Sequence, residues 1–174
     1  DEAPKYRWEH CPKCQQRIKD EGLQNEEALQ GWFNTRIENY LATKGKQIIG
    51  WDEILEGGLS PNATVQSWRG FEGGIEAVEQ GHDAIMSPTS HAYFDYPVSS
   101  IDVPKVYSYS PIPSGLDPLD AGHILGGECN LWSERIPDLE TLDRRFLPRG
   151  IAMAEVLWSH PLERDYEAFW ERLQ

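Results

Sequence analysis

The chain has 174 residues, 39% of them hydrophobic, with seven tryptophans, seven tyrosines and five phenylalanines, which suits a packed core and not a disordered tail. Twenty-nine acidic against sixteen basic residues leave a net charge of −13, which argues against nucleic acid and anionic membrane surfaces, since phosphate is repelled. No apolar run approaches the length of a membrane span.

Taken in order, residues 1–10 form a short polar and aromatic segment, and residues 11–22 read as a short helix stopped at Gly22. Cys11 and Cys14 have C-x-x-C spacing, but there is no second such pair and no H-x-x-x-H. A zinc site would have to enlist His10 and Cys129; local thiols, or a local disulfide in an exported protein, are the simpler reading. A stronger helix is predicted over 25–44. Asn25 caps it, Glu26 and Glu27 suit its positive end, and Gly45 stops it. Its apolar residues Leu29, Trp32, Phe33, Ile37, Tyr40 and Leu41 are spaced by threes and fours, so Trp32 reads as core.

Strands are predicted at 47–50, 63–67, 84–87 and 124–131, with a short helix opening at Gly73-Gly74 and ending near Gly81. The long stretch 88–123 carries six prolines and reads as a binding loop. Helical pattern returns over 139–159, where Pro148 marks a kink or the first position of a new helix, and again over 163–174. Trp158 and Trp170 fall in those patterns and are expected to pack. Continuous apolar strands alternating with helices imply a parallel sheet covered on both faces, and four such units are about half of an eight-stranded barrel. The expected fold is therefore α/β, the second half of a (β/α)8 TIM barrel, with residues 1–174 as one partial domain. Both ends read as cuts through a longer protein.

Each predicted strand leads into an aromatic-plus-acid cluster: Trp51-Asp52-Glu53, Ser67-Trp68-Arg69, Tyr93-Phe94-Asp95-Tyr96 and Trp132-Ser133-Glu134. An indole face covers the apolar side of a sugar ring, and a carboxylate accepts hydrogen bonds from its hydroxyls. Trp132 and Glu134, two residues apart at a strand end, would face the same side. Trp68 reads equally well as core or as pocket wall. Asp52 and Glu53 are expected in structural salt bridges, with Arg69 as partner. His82, His91, His123 and His160 lack metal-ligand spacing, and no glycine run follows a phosphate-binding pattern, so no cofactor is implied.

The ordered set Ile49-Gly50-Trp51-Asp52-Glu53-Ile54-Leu55, Ser67-Trp68-Arg69-Gly70, Tyr93-Phe94-Asp95-Tyr96, Asn130-Leu131-Trp132-Ser133-Glu134 and Pro148-Arg149 resembles the family 20 glycoside hydrolases, the β-N-acetylhexosaminidases. The resemblance runs from residue 1 to about residue 160 and matches the second half of that family's barrel. It implies that Asp1-Glu2 are the last residues of the family's His-x-Gly-Gly-Asp-Glu motif at the end of the fourth barrel strand. Glu2 would then be the general acid, and Asp1 would orient the substrate's own 2-acetamido group, whose carbonyl oxygen attacks the anomeric carbon. Tyr93 would hydrogen-bond that acetamido carbonyl. Trp51, Trp68 and Trp132 would wall the pocket, and Asp95 and Glu134 would bind the outer hydroxyls. The implied partners are glycans ending in N-acetylhexosamine. A half-barrel also leaves outer strands unpaired, so the N-terminal half of the same barrel, or a second copy in a homo-oligomer, is expected against them. Export, to a periplasm, lysosome or the exterior, is the expected location.

Overall fold

The computed structural model describes residues 3–174, so Asp1 and Glu2 lie outside the described residues. Three helices come first: α1 (Lys5–Glu9), α2 (Pro12–Asp20) and α3 (Glu26–Ala42). The segment before residue 11 is thus partly helical, which its shortness had concealed. Asn25 caps α3 by accepting from the Ala28 amide at 2.9 Å, as its sequence position predicts.

Four short strands follow: β1 (Ile49–Trp51), β2 (Thr64–Ser67), β3 (Ala84–Met86) and β4 (Ile124–Gly127). They pair in parallel in the order β1-β2-β3-β4, so each strand's neighbour in sequence is its neighbour in space. That sequential parallel order is the local pattern of a (β/α)8 barrel. β2 and β3 are the most buried strands, with Val65, Ala84 and Met86 excluded from solvent. α4 (Glu72–Glu79) is the crossover between them and packs on both. Gly74 lets α4 approach closely, because a Cβ there would collide with the Met86 side chain and Ser67 Cβ.

The fourth strand is shorter than its apolar run suggests: after Gly127 only an isolated bridge, Tyr93 to Asn130, continues the pairing. The long stretch after β3 is not all loop. It contains α5 (Val103–Tyr107) and α6 (Pro118–Ala121), capped by Asp102 and Asp117. Leu147 turns extended, and Pro148 sits at the N-cap, separating α7 (Leu139–Phe146) from α8 (Arg149–Trp158); α9 (Tyr166–Leu173) closes the chain.

Two expectations about tryptophans and helix faces fail. α3 buries Leu29, Gln30, Gly31 and Glu38, while Phe33, Ile37 and Tyr40 stay exposed. Trp32 is only half-buried and lies between the Arg17 and Arg36 guanidinium groups, 5.3 and 5.0 Å from its ring. Trp158 is 93% exposed, and Trp170 is partly exposed on Tyr166. Helical spacing identifies an apolar stripe but not which stripe has a neighbour to pack on.

α3 meets the loop after β1 through two glycines. A Cβ on Gly31 would strike the Gly57 carbonyl, and one on Gly57 would strike the Glu27 carbonyl. Both obstacles are backbone and cannot rotate away. Gly31→Ala is expected to destabilise the fold by roughly 1–3 kcal/mol, seen as a lower urea midpoint with unchanged slope.

Candidate active site

Trp51 ends β1, and the chain turns at once into a 3-10 turn, Asp52–Leu55. The two adjacent acids then divide their work. Asp52, 1% exposed, accepts from the backbone amides of Trp68 and Arg69 at 3.0 and 3.2 Å and from Arg69 Nε at 2.5 Å. Glu53 is not an ion-pair partner of Arg69. Both of its carboxylate oxygens stand 3.0 Å from Trp68 Nε1. One acid fixes the Trp68 backbone and the other fixes its ring. Arg69 takes Glu56 as its second partner at 2.6 Å. Burial works against the Arg69 charge, but the hydrogen bonds to Glu56 and Asp52 outweigh it and raise its pKa.

The next segment is short and extended. The Phe94 amide donates to the Asn130 carbonyl at 2.7 Å, and the Asn130 amide donates to Ala92 at 2.7 Å. Successive side chains along extended backbone point opposite ways. Phe94 turns into the core, fully buried, while Tyr93 and Asp95 line a cavity on the other side. Trp132 and Glu134 reach the same cavity from a 3-10 turn, Ser133–Arg135, rather than from a strand.

That cavity, about 550 Å³, is lined by Trp51, Trp68, Tyr93, Asp95, Tyr96, Trp132, Glu134 and Arg135. The structure therefore brings together all six site residues that fall within the described chain; Asp1 and Glu2 fall outside it. Trp68 is a wall residue with its ring against Tyr93, centroids 6.1 Å apart and planes 27° apart. Trp51 and Trp132 meet at 5.9 Å. Burial raises the Tyr93 pKa and a hydrogen bond from Trp132 only partly offsets it, so the phenol keeps its proton across the neutral and mildly alkaline range. Asp95 is 3% exposed, and its Oδ1 has no hydrogen-bond partner among the described residues. A buried carboxylate oxygen left without a donor, at the wall of a cavity, is a site for a ligand hydroxyl.

Tyr96 and Arg135 also line this cavity and were given no role from sequence. The Arg135 guanidinium lies 5.2 Å from the Tyr96 ring centre. Both sit beside residues already singled out, at Tyr93-Phe94-Asp95-Tyr96 and Trp132-Ser133-Glu134-Arg135, so adjacency was the available signal.

A family model, glycosyl hydrolase family 20 catalytic domain, matches residues 1–161. The chain belongs to that family. Among curated relatives, a β-hexosaminidase of Porphyromonas gingivalis is 42% identical over 99% of this chain and 24% of its own length. One of Akkermansia muciniphila is 30% identical over 99% of this chain and 38% of its own. The structure of a family 20 exo-β-N-acetylglucosaminidase from Vibrio harveyi, in complex with N-acetylglucosamine, superposes with a TM-score of 0.88 at 28% identity, covering 99% of this chain and 29% of that one. A chitobiase from Flavobacterium johnsoniae gives 0.81 at 33% identity, covering 95% and 26%. The chain thus spans roughly a quarter to two-fifths of the length of these family 20 proteins. Its fold is part of their TIM barrel.

The cysteines stand apart from this family 20 site. Cys11, Cys14 and Cys129 are free thiols, and no three His, Cys, Asp or Glu side chains converge in a metal-holding group among the described residues. Hydrogen bonds from the Cys14 amide and thiol lower the Cys11 pKa, whereas burial raises that of Cys129. The thiolate is the nucleophile, so iodoacetamide at pH 7.5 is expected to label Cys11 first and Cys129 last. Peptide mass mapping over time would show the order, and equal rates would contradict it.

Proposed function

We propose that the chain is the second half of the catalytic barrel of an exo-acting β-N-acetylhexosaminidase, which removes terminal N-acetylglucosamine or N-acetylgalactosamine from glycans with net retention. The observation that carries this reading is the cavity: three indoles, a protonated phenol and a buried, unpartnered carboxylate oxygen around space for one sugar ring. The names of the relatives point the same way.

In this reading the substrate supplies its own nucleophile. Glu2 protonates the glycosidic oxygen while the 2-acetamido carbonyl oxygen attacks the anomeric carbon, and Asp1 orients the acetamido group. Adjacent residues on a strand point to opposite faces, so Asp1 and Glu2 are awkward as the paired carboxylates of an ordinary retaining glycosidase, which stand roughly 5 Å apart across the bond. Substrate assistance removes that requirement. Tyr93 donates its hydroxyl hydrogen to the acetamido oxygen and holds it in line for attack on the anomeric carbon, the indoles exclude water, and Asp95 and Glu134 accept from outer hydroxyls.

The test uses the full-length protein, because the remaining strands of the barrel complete the site. Hydrolysis of a chromogenic N-acetyl-β-glucosaminide, and of its galactosaminide, should fall at least a thousandfold in Glu2→Gln while the fold stays intact. A folded full-length protein inactive on both substrates would replace this reading with a sugar-binding or structural one.

A further inference from the structure

Arg149 is the largest side chain in the molecule that is completely buried, and no carboxylate pairs with it among the described residues. Its guanidinium is instead spent on backbone carbonyls. Nη2 donates to Phe94 at 2.6 Å, Nη1 to Ile101 at 2.9 Å and to Tyr96 at 3.4 Å, and Nε to Arg145 at 2.7 Å. The cation also lies 4.8 Å from the centre of the Phe94 ring. Four residues earlier, near the end of α7, Arg145 Nη1 donates to the Asp95 carbonyl. Three consecutive carbonyls, those of residues 94, 95 and 96, are therefore all taken by guanidinium groups from α7 and α8.

The location matters more than the count. The peptide of Phe94 is held at both ends, its N–H by Asn130 and its C=O by Arg149. The residues on either side of it are Tyr93 and Asp95, the phenol and the carboxylate of the cavity. A buried charge is costly unless it is hydrogen-bonded. An apolar side chain would fill this core position without that cost. The fork of a guanidinium, with five donors in one plane, can satisfy carbonyls that diverge from a curved, non-repetitive segment.

We propose that Arg149 and Arg145 are positioning residues for the sugar pocket. They fix the backbone of residues 94–96 so that the Tyr93 hydroxyl and the Asp95 carboxylate hold their places. This rests on the hydrolase reading above. Neither arginine is placed in contact with the sugar. Misplacing a reacting or orienting group by ~1 Å can cost about a hundredfold in rate.

The experiment compares four variants of the full-length protein: Arg149→Met, Arg149→Lys, Arg145→Met and, as a control in α8, Met153→Ala. Met153 is buried in the core but does not touch the clamped carbonyls through a hydrogen bond. Steady-state kinetics on the chromogenic glucosaminide are measured below every melting temperature, with amide hydrogen exchange of residues 93–101. A change that only lowers stability reduces the active fraction, which lowers kcat and leaves KM alone. Loss of the clamp should also raise KM, because Asp95 shifts. The expected result is a fall in kcat/KM of about a hundredfold in Arg149→Met and about tenfold in Arg145→Met, with faster exchange at 93–101. Arg149→Lys should not restore it, since an ammonium cannot span those carbonyls. Should Arg149→Met fail to fold, Arg145→Met and Arg149→Lys decide the matter. The proposal is overturned if those two keep wild-type KM and exchange, or if Met153→Ala raises KM as much. Wild-type inactivity would sink the hydrolase reading instead, and exchange at 93–101 would still decide whether the clamp holds the segment.

Discussion

Tyr93→Phe in the full-length protein is expected to lower kcat on an N-acetyl-β-glucosaminide by about a hundredfold, the loss expected when the attacking carbonyl oxygen is no longer held in line. The change deletes one oxygen and leaves the ring stacked on Trp68, so KM should move much less than kcat. The sign of the pH dependence follows from the phenol. Burial pushes its pKa above the ordinary value of a tyrosine, so the hydroxyl remains a donor as pH rises through neutrality and beyond. Tyr93 should therefore contribute no alkaline limb below about pH 10, and the wild-type and Tyr93→Phe pH profiles should have the same shape at different heights. A variant with unchanged kcat would remove Tyr93 from the chemistry.

Trp132→Ala is expected to act on binding. Trp132 touches Trp51 and walls the cavity beside Tyr93, so its loss opens the site and frees the Trp51 ring. Truncating a central aromatic anchor costs about 2–3 kcal/mol, which corresponds to a roughly 30- to 150-fold rise in KM. Trp158→Ala serves as the comparison. Trp158 is 93% exposed and outside the cavity, and its removal should leave KM unchanged. If both variants behave alike, the indole wall is not what holds the sugar.

Much of this site could be read before any coordinates. The clusters at 51, 68, 93–95 and 132–134 converge because parallel strands in sequential order carry their C-terminal ends to one side of the sheet. What sequence could not show was where each side chain's second atom goes. Glu53 looked like a partner for Arg69, yet it binds the Trp68 indole, because the 3-10 turn after β1 aims adjacent acids in different directions. Arg149 was visible only as part of a Pro-Arg pair, and its burial against the carbonyls of Phe94 and Ile101 depends on contacts some fifty residues away. The failures at Trp32 and Trp158 have the same origin. Periodicity describes one helix at a time, whereas burial depends on a neighbour.

The contact between Trp51 and Trp132 has an optical consequence. Trp51 ends β1 and Trp132 follows β4, the two outer strands of the sheet, yet their rings lie 5.9 Å apart at an angle of 55°. Two indoles so close and so tilted couple their electronic transitions, giving a paired positive and negative band in ultraviolet circular dichroism that neither gives alone. That signal reports whether the turn after β4 is seated against the end of β1, since it exists only while the two rings stay together. It would let the integrity of the pocket wall be followed in solution without a label, a substrate or a turnover.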